Sequence, residues 1–460
     1  MASYRKLGKN MLSLTIGNFA SKLLSFLFVP FYTYVLTTSE YGTADLVTTT
    51  VTLLFPLFSL IICESMMRFA LNKEEDKGKV FQIGMLVWLL GAVVLVILSP
   101  ILLLVDSLKD YIVLVVLYYL GYSINQNIGY FCRGAEKVVL YTISGIVATL
   151  VTIGLNLLFL LGLKWGINGY LLASISANFS SALVMFVGGK FYNYKFSLKK
   201  IDSDLLKRML KYSVPMIPNS ASWWVSNSSD KYILIAFAGV AANGIYSVSY
   251  KIPTIITIVT SIFATAWRIS AVEEFGSEAS RKFYSDVYGM YVTLTAFMAS
   301  ALMLMNKPLS TFLYQKDFYQ AWQFVPVLLV ASVIHAYCEF FGTIYTSSMK
   351  TKMLFYSTVI GAATNVLLNF MLIPKFAAMG AAIATMISYL VVWLVRMIHS
   401  SKIMKIHYNY LSDISCFVLI LIQMVIASMN LKYEIVFSAV LLTLIVIRSE
   451  ERRVGKECRS

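Results

Sequence analysis

The chain has 460 residues, 58% of them hydrophobic and 13% charged, and its mean hydropathy is +0.74. Soluble domains carry roughly a quarter charged residues, so this composition excludes a water-soluble fold. It also removes the nucleic-acid reading that a formal net charge of +15 would otherwise invite, because Lys and Arg fall mainly in alternate connectors rather than on one basic domain.

Apolar blocks of roughly 18 to 25 residues, each long enough to cross a hydrocarbon core of ~30 Å, follow one another along the chain. In order they span 11–35, 43–67, 80–105, 111–131, 139–163, 167–189, 212–237, 241–267, 284–306, 319–346, 353–374, 378–395, 411–429 and 433–447. The pattern predicts an all-α polytopic membrane protein with about 14 transmembrane helices. Lys and Arg favour the N-terminus and the even-numbered connectors by about four to one, which predicts a cytoplasmic N-terminus. Cys63, Cys132, Cys338 and Cys416 have no metal-ligand spacing and read as small core residues. The basic start before Met11 is not expected to be a cleaved signal.

The basic connector 191–211 divides the first twelve spans into six and six, a lobe at 1–190 and a lobe at 212–400, followed by trailing helices at 401–447. Internal duplication supports the division. Ile16–Ser25 and Ile217–Ser226 match at five of ten positions, and Asn156, Gly169 and Ala173 find counterparts in Asn369, Gly380 and Ala384. Two six-helix repeats of like orientation predict pseudo-symmetric lobes with a substrate path between them. The final apolar run is short for a span. Residues 448–460, with the stretch Arg448 to Cys458, resemble one reading frame of a sequencing adapter and are expected not to belong to the natural chain.

No phosphate-binding loop is present, and His335, His399 and His407 lack metal spacing. No metal, no cofactor and no enzymatic activity are expected. The informative residues are polar ones at membrane depth, where a charge costs at least ~2.5–3.5 kcal/mol. Lys22 has Asn18 and Ser25 on its own face of the first span. In the seventh, Asn219, Trp223, Ser226 and Asp230 share one face, while Ser220, Trp224, Asn227 and Lys231 make the adjacent one. Helices this polar are expected to line a hydrated cavity, with Lys22, Lys251, Lys231 and Arg68 as its cations. Asn18, Ser25, Asn219, Trp223, Trp224, Ser226 and Asn227 are expected as its polar and aromatic lining. Asp230, Glu64 and Glu339 are candidates for ion coupling or charge pairing, with the alternatives that Glu64 neutralises Arg68 and that Asp230 neutralises a nearby lysine. Arg133 and Lys137 read first as topology determinants. Pro30, Pro56, Pro215, Pro218 and Pro253 mark kinks beside such a cavity.

The stretches Gly17–Lys22, Val29–Tyr34, Ser39–Gly42 with Arg68 and Phe69, then Tyr212–Asn219, Ser229–Leu234 and Gly244–Val248 resemble bacterial polysaccharide-biosynthesis flippases of the multidrug/oligosaccharidyl-lipid/polysaccharide exporter superfamily. The similarity covers residues 5–447. It implies a V-shaped alternating-access transporter of the cytoplasmic (inner) membrane, carrying an undecaprenyl-diphosphate-linked oligosaccharide outward for O-antigen or capsule export. Its partners would be that substrate, membrane lipid, and the polymerase and glycosyltransferases of the same route. Within the superfamily, a peptidoglycan- or teichoic-precursor flippase and an organic-cation antiporter are the alternatives.

Overall fold

A computed structural model describes residues 26–72, 74–194, 201–276, 280–350, 352–406, 410–429 and 433–457. The chain folds into two compact units, Met1–Trp224 and Val225–Ser460. In the first are α1 (Val29–Val35), α2 (Thr38–Phe58), α3 (Ile62–Leu71), α4 (Lys77–Leu98), α5 (Ile112–Gly134), α6 (Val138–Asn156), α7 (Gly166–Gly188) and α8 (Ser203–Ser213). Helix α9 (Ile217–Ser249) begins in the first unit and continues into the second. The second unit adds α10 (Thr254–Glu274), α11 (Ser280–Leu304), α12 (Asn306–Leu313), α13 (Val325–Ser347), α14 (Lys352–Ser400), α15 (Tyr410–Ser428) and α16 (Glu434–Glu457).

Among the described residues, eight helical runs are long and apolar enough to cross a membrane, and α2 with α3 makes a ninth as a pair bent by 60°. The expected gaps between spans seven and eight and between spans eleven and twelve appear as kinks within long helices. Gly239 adopts φ 84° inside α9, and Ala377 adopts φ 45° inside α14 just after Pro374. The proline removes a ladder donor and the glycine enters the left-handed region without a Cβ penalty, so each helix breaks where the apolar pattern pauses. The chain is an all-α polytopic membrane protein, and its four inner cysteines, Cys63, Cys132, Cys338 and Cys416, are buried.

In the first unit, α2 opens on a capping box. Thr37 Oγ1 accepts from the Glu40 N–H at 3.2 Å and the Glu40 carboxylate accepts from the Thr37 N–H at 2.9 Å. The helix stops at Ser59, and Leu60 and Ile61 take left-handed φ values of 49° and 51° before α3 resumes. Gly91 of α4 lies under this break, where a Cβ would stand 1.8 Å from the Phe58 carbonyl oxygen. The bend therefore depends on a residue with no side chain. Below it, Met66, Phe81, Phe131, Met185 and Met209 form one buried cluster.

Helix α8 closes that cluster with Leu205 and Met209 while exposing Lys207 and Arg208. The Asp202 carboxylate caps it, accepting from the Leu205 N–H at 3.1 Å, and also binds Lys79 at 3.1 Å. Those two bonds hold the Asp202 carboxyl below its ordinary range. Arg208 pairs with Glu75 at 2.6 Å and with Asp204 at 3.1 Å.

The second unit is built around α13, whose residues are buried on nearly every face. Arg396 of α14 packs against it and is 1% exposed. Its guanidinium donates to Ser357 Oγ at 2.9 Å, the Cys338 carbonyl at 2.8 Å and Thr358 Oγ1 at 3.0 Å. A guanidinium satisfied by three acceptors can stay inside where a solvated one would leave. Gly342 makes room for it, since a Cβ there would meet Arg396 Nη1 at 3.2 Å.

The residues matched between the two halves of the sequence are tightly packed in each unit. Asn156 is fully buried, and a Cβ at Gly169 would lie 2.8 Å from the Phe159 Cβ. Asn369 is likewise fully buried, and a Cβ at Gly380 would lie 2.5 Å from the Leu372 carbonyl oxygen. Ala173 and Ala384 are both fully buried one turn later.

Candidate functional site

Lys22, Asn18 and Ser25 lie outside the described residues. The seventh-span residues all lie on α9, and their burial differs from one to the next. Asn219 is exposed, Trp223 and Trp224 are half-buried, Ser226 is buried and Asn227 exposed. Trp224 Nε1 donates to the Thr49 carbonyl of α2 at 3.1 Å within the first unit.

Asp230 is 2% exposed. Its Oδ2 accepts from the Tyr246 hydroxyl at 2.7 Å, which in turn meets the Tyr250 hydroxyl at 2.9 Å. Its Oδ1 accepts from the Lys231 backbone N–H at 2.9 Å. The carboxylate thus turns into its own unit, because the kink at Gly239 folds the later part of α9 back until Tyr246 reaches it.

Next to Asp230, the Ser229 hydroxyl donates to Asn365 Oδ1 at 3.4 Å, and Asn369 Nδ2 donates to the same oxygen at 2.8 Å. Asn365 Nδ2 lies 3.5 Å from Thr385 Oγ1 and 3.4 Å from Ser388 Oγ. A second chain of groups runs from Asn227, whose Oδ1 accepts from the Tyr389 hydroxyl at 2.8 Å, to His335, whose ring stands 4.9 Å from Tyr389. Glu339 is half-buried one turn beyond His335 on α13. Oxygen and amide groups gathered in this way around one buried carboxylate can hold a proton or a small cation away from lipid.

Two expected placements differ. Lys251, read as the middle of a continuous eighth span, is half-buried in the turn joining α9 to α10, where its N–H donates to the Val248 carbonyl at 2.9 Å. Pro253 at the start of α10 interrupts the helix there. Glu64 and Arg68 share a face of α3, yet Glu64 is half-buried and Arg68 exposed, and among the described residues they form no ion pair. On α5, the Arg133 guanidinium covers the Tyr130 ring at 4.0 Å.

Tyr246, Tyr250, Tyr389, Asn365 and Arg396 were not singled out from the sequence. The tyrosines pass as apolar in a hydropathy window, and Arg396 stands at the end of a span where cations are ordinary. The spacing of Tyr246 and Tyr250, one turn apart within a span that also follows an intramembrane acid, is the signal that would have found them.

Comparison with solved structures gives the fold independently. The inward-closed conformation of the lipid II flippase MurJ superposes with a TM-score of 0.66 at 15% identity, covering 96% of this chain and 99% of that one. An outward-facing multidrug-resistance MATE transporter of the MOP superfamily gives 0.60 at 14% identity, covering 86% and 96%. A MOP-superfamily transporter from Pyrococcus furiosus gives 0.59 at 14%, covering 85% and 96%. An uncharacterized membrane protein of Methanocaldococcus jannaschii is 24% identical over 268 residues, 54% of this chain, and the matched region spans 62% of that relative's length. The profile of the family described as polysaccharide biosynthesis protein matches residues 7–268, the stretch that holds the first unit from residue 7, the whole of α9 and the buried Asp230, and the chain belongs to that family.

Proposed function

We propose that this protein is a flippase that moves a lipid-linked oligosaccharide, with an undecaprenyl-diphosphate anchor, across the bacterial cytoplasmic membrane by alternating access. The observation that carries this reading is the concentration of polar groups within α9 and around Asp230 inside helices that cross a membrane. Such groups are costly in lipid and mark substrate or ion routes. In this reading Lys22, Lys251, Lys231 and Arg68 meet the diphosphate, while Asn18, Ser25, Asn219, Trp223, Trp224, Ser226 and Asn227 meet the headgroup by hydrogen bonds and stacking. Asp230 and its tyrosines form the coupling site, with Glu64 and Glu339 as further titratable groups. The N-terminus is cytoplasmic, and polymerase and glycosyltransferases act before and after the flip.

The fold shared with a lipid II flippase along nearly the whole chain favours a second reading in which the cargo is another lipid-linked cell-wall precursor. Reconstitution into vesicles tests both. Purified protein should accelerate the appearance of an inner-leaflet undecaprenyl-diphosphate-linked saccharide at the outer leaflet, and Lys22→Ala and Lys251→Ala should each abolish this while leaving the protein folded. Full activity in both variants would overturn the assignment of the cations. Which saccharides are carried separates the two readings.

A further inference from the structure

Helix α5 has three faces. Val113 and Leu117 are exposed apolar residues, and Tyr119, Ser123 and Asn127 are fully buried. The third face carries Tyr118, Tyr122, Gln126 and Tyr130 at four-residue steps, all half-buried. These are neither the lipid-facing nor the core face. Helix α7 repeats the arrangement, with exposed Phe179, Leu183 and Val187 on one side and half-buried Tyr170, Ser174 and Asn178 at four-residue steps on another.

The two polar stripes meet within the first unit. Beside the α5 stripe, Asn125 Nδ2 donates to Asn178 Oδ1 of the α7 stripe at 3.1 Å. At one end Tyr32 stands edge-on to Tyr170, with ring centroids 5.2 Å apart. In the middle Phe55 stands edge-on to Tyr122 at 5.4 Å. At the other end the Arg133 guanidinium covers the Tyr130 ring at 4.0 Å. From Tyr118 to Tyr130 the stripe runs about 18 Å along the helix axis.

We propose that this stripe reads the saccharide part of the substrate, an inference that rests on the flippase reading above. A stripe serving only to pack helices in lipid would gain more from leucine or phenylalanine than from hydroxyls and amides that each need a partner. Tyrosine has what a sugar requires: a flat apolar ring for the C–H face of a pyranose and a hydroxyl for its oxygens. Between its ends the α5 stripe carries no charge. Its chemistry therefore suits a neutral, hydroxyl-rich glycan of several rings rather than a diphosphate. The amide bond now made between α5 and α7 is one that sugar hydroxyls would replace.

The test uses the full chain in nanodiscs and two probes, undecaprenyl diphosphate alone and undecaprenyl diphosphate bearing a disaccharide. Wild type should bind the saccharide-bearing probe more tightly. Tyr122→Leu and Tyr130→Leu should each weaken that probe about five- to tenfold and leave the bare diphosphate unchanged. Tyr122→Phe and Tyr130→Phe keep the ring and the fold, and should lose a smaller part of the same preference. Equal binding of the two probes by wild type, or equal losses for both probes in the variants, overturns the inference and leaves the flippase reading standing. Binding of neither probe by wild type overturns the flippase reading and the inference with it.

Discussion

The break between α2 and α3 rests on Gly91, and Gly91→Ala tests it. The added Cβ would stand 1.8 Å from the Phe58 carbonyl oxygen and 2.8 Å from its carbon, against an ordinary contact of 3.4 Å or more. Both atoms are backbone, so no rotamer change relieves the overlap, and α2 must part from α4 by roughly 1.5 Å. Overpacking of this kind costs about 1–3 kcal/mol and sometimes more, and here it also disturbs the left-handed Leu60 and Ile61. At about 2–4 °C per kcal/mol for a unit of this size, a fall in Tm of roughly 2–12 °C is expected in a temperature ramp followed by size-exclusion fluorescence in detergent. Gly145→Ala is the control, because nothing lies within 4 Å of its Cβ position. There a mid-helix alanine should leave Tm unchanged or raise it by the equivalent of up to ~1 kcal/mol. A Gly91→Ala protein that melts with wild type would refute the close-contact account of the bend.

Arg396→Lys should lower the melting temperature by the equivalent of about 2–3 kcal/mol, since an ammonium cannot reach Ser357, Cys338 and Thr358 from one planar fork; a melt equal to wild type would show the fork is dispensable. Ala377→Gly should stabilise by about 1 kcal/mol by relieving φ 45° and ψ −127° at the α14 kink, read in the same melt. Docking of α8 should depend on pH in one direction. The Asp202 pKa is lowered in the folded state, so its contribution is complete above the ordinary carboxylate range and disappears as pH falls through the lowered value. Hydrogen exchange at Leu205 should therefore rise on acidification in wild type, while Asp202→Asn should exchange fast at neutral pH already. Asp230→Asn should remove any dependence of vesicle flipping on an applied proton or sodium gradient while leaving the protein folded. An unchanged gradient response would dissociate the Tyr246–Asp230 pair from coupling.

The span order was legible because lipid imposes one requirement on every crossing segment, an apolar helix of fixed length. That requirement also located the pauses at Gly239 and Ala377, although the pauses turned out to be kinks rather than loops. Hydropathy alone could not locate the break at Ser59–Ile61, which follows the kink expected at Pro56. What accommodates that break is Gly91, thirty residues away and touching only in three dimensions. Lys251 was misplaced for a related reason: hydropathy averages across Pro253, whereas the backbone stops at it.

The polar residues divide along the same line. Asp230 stood out from the sequence because a charge among apolar residues is improbable without a function, but its partner Tyr246 did not, because tyrosine scores as apolar until its hydroxyl is seen to point at something. The same blindness hid Tyr118, Tyr122 and Tyr130, whose spacing on one face matters only once Val113 and Leu117 are seen to occupy another. In the proposed reading, charged side chains mark where a headgroup's phosphates are met, and tyrosines, whose hydroxyls a hydropathy window does not register, are where recognition of its sugars is built. If that division holds, exchanging Tyr122 and Tyr130 should change which glycans are accepted, and exchanging Lys251 should change whether any lipid diphosphate is accepted at all.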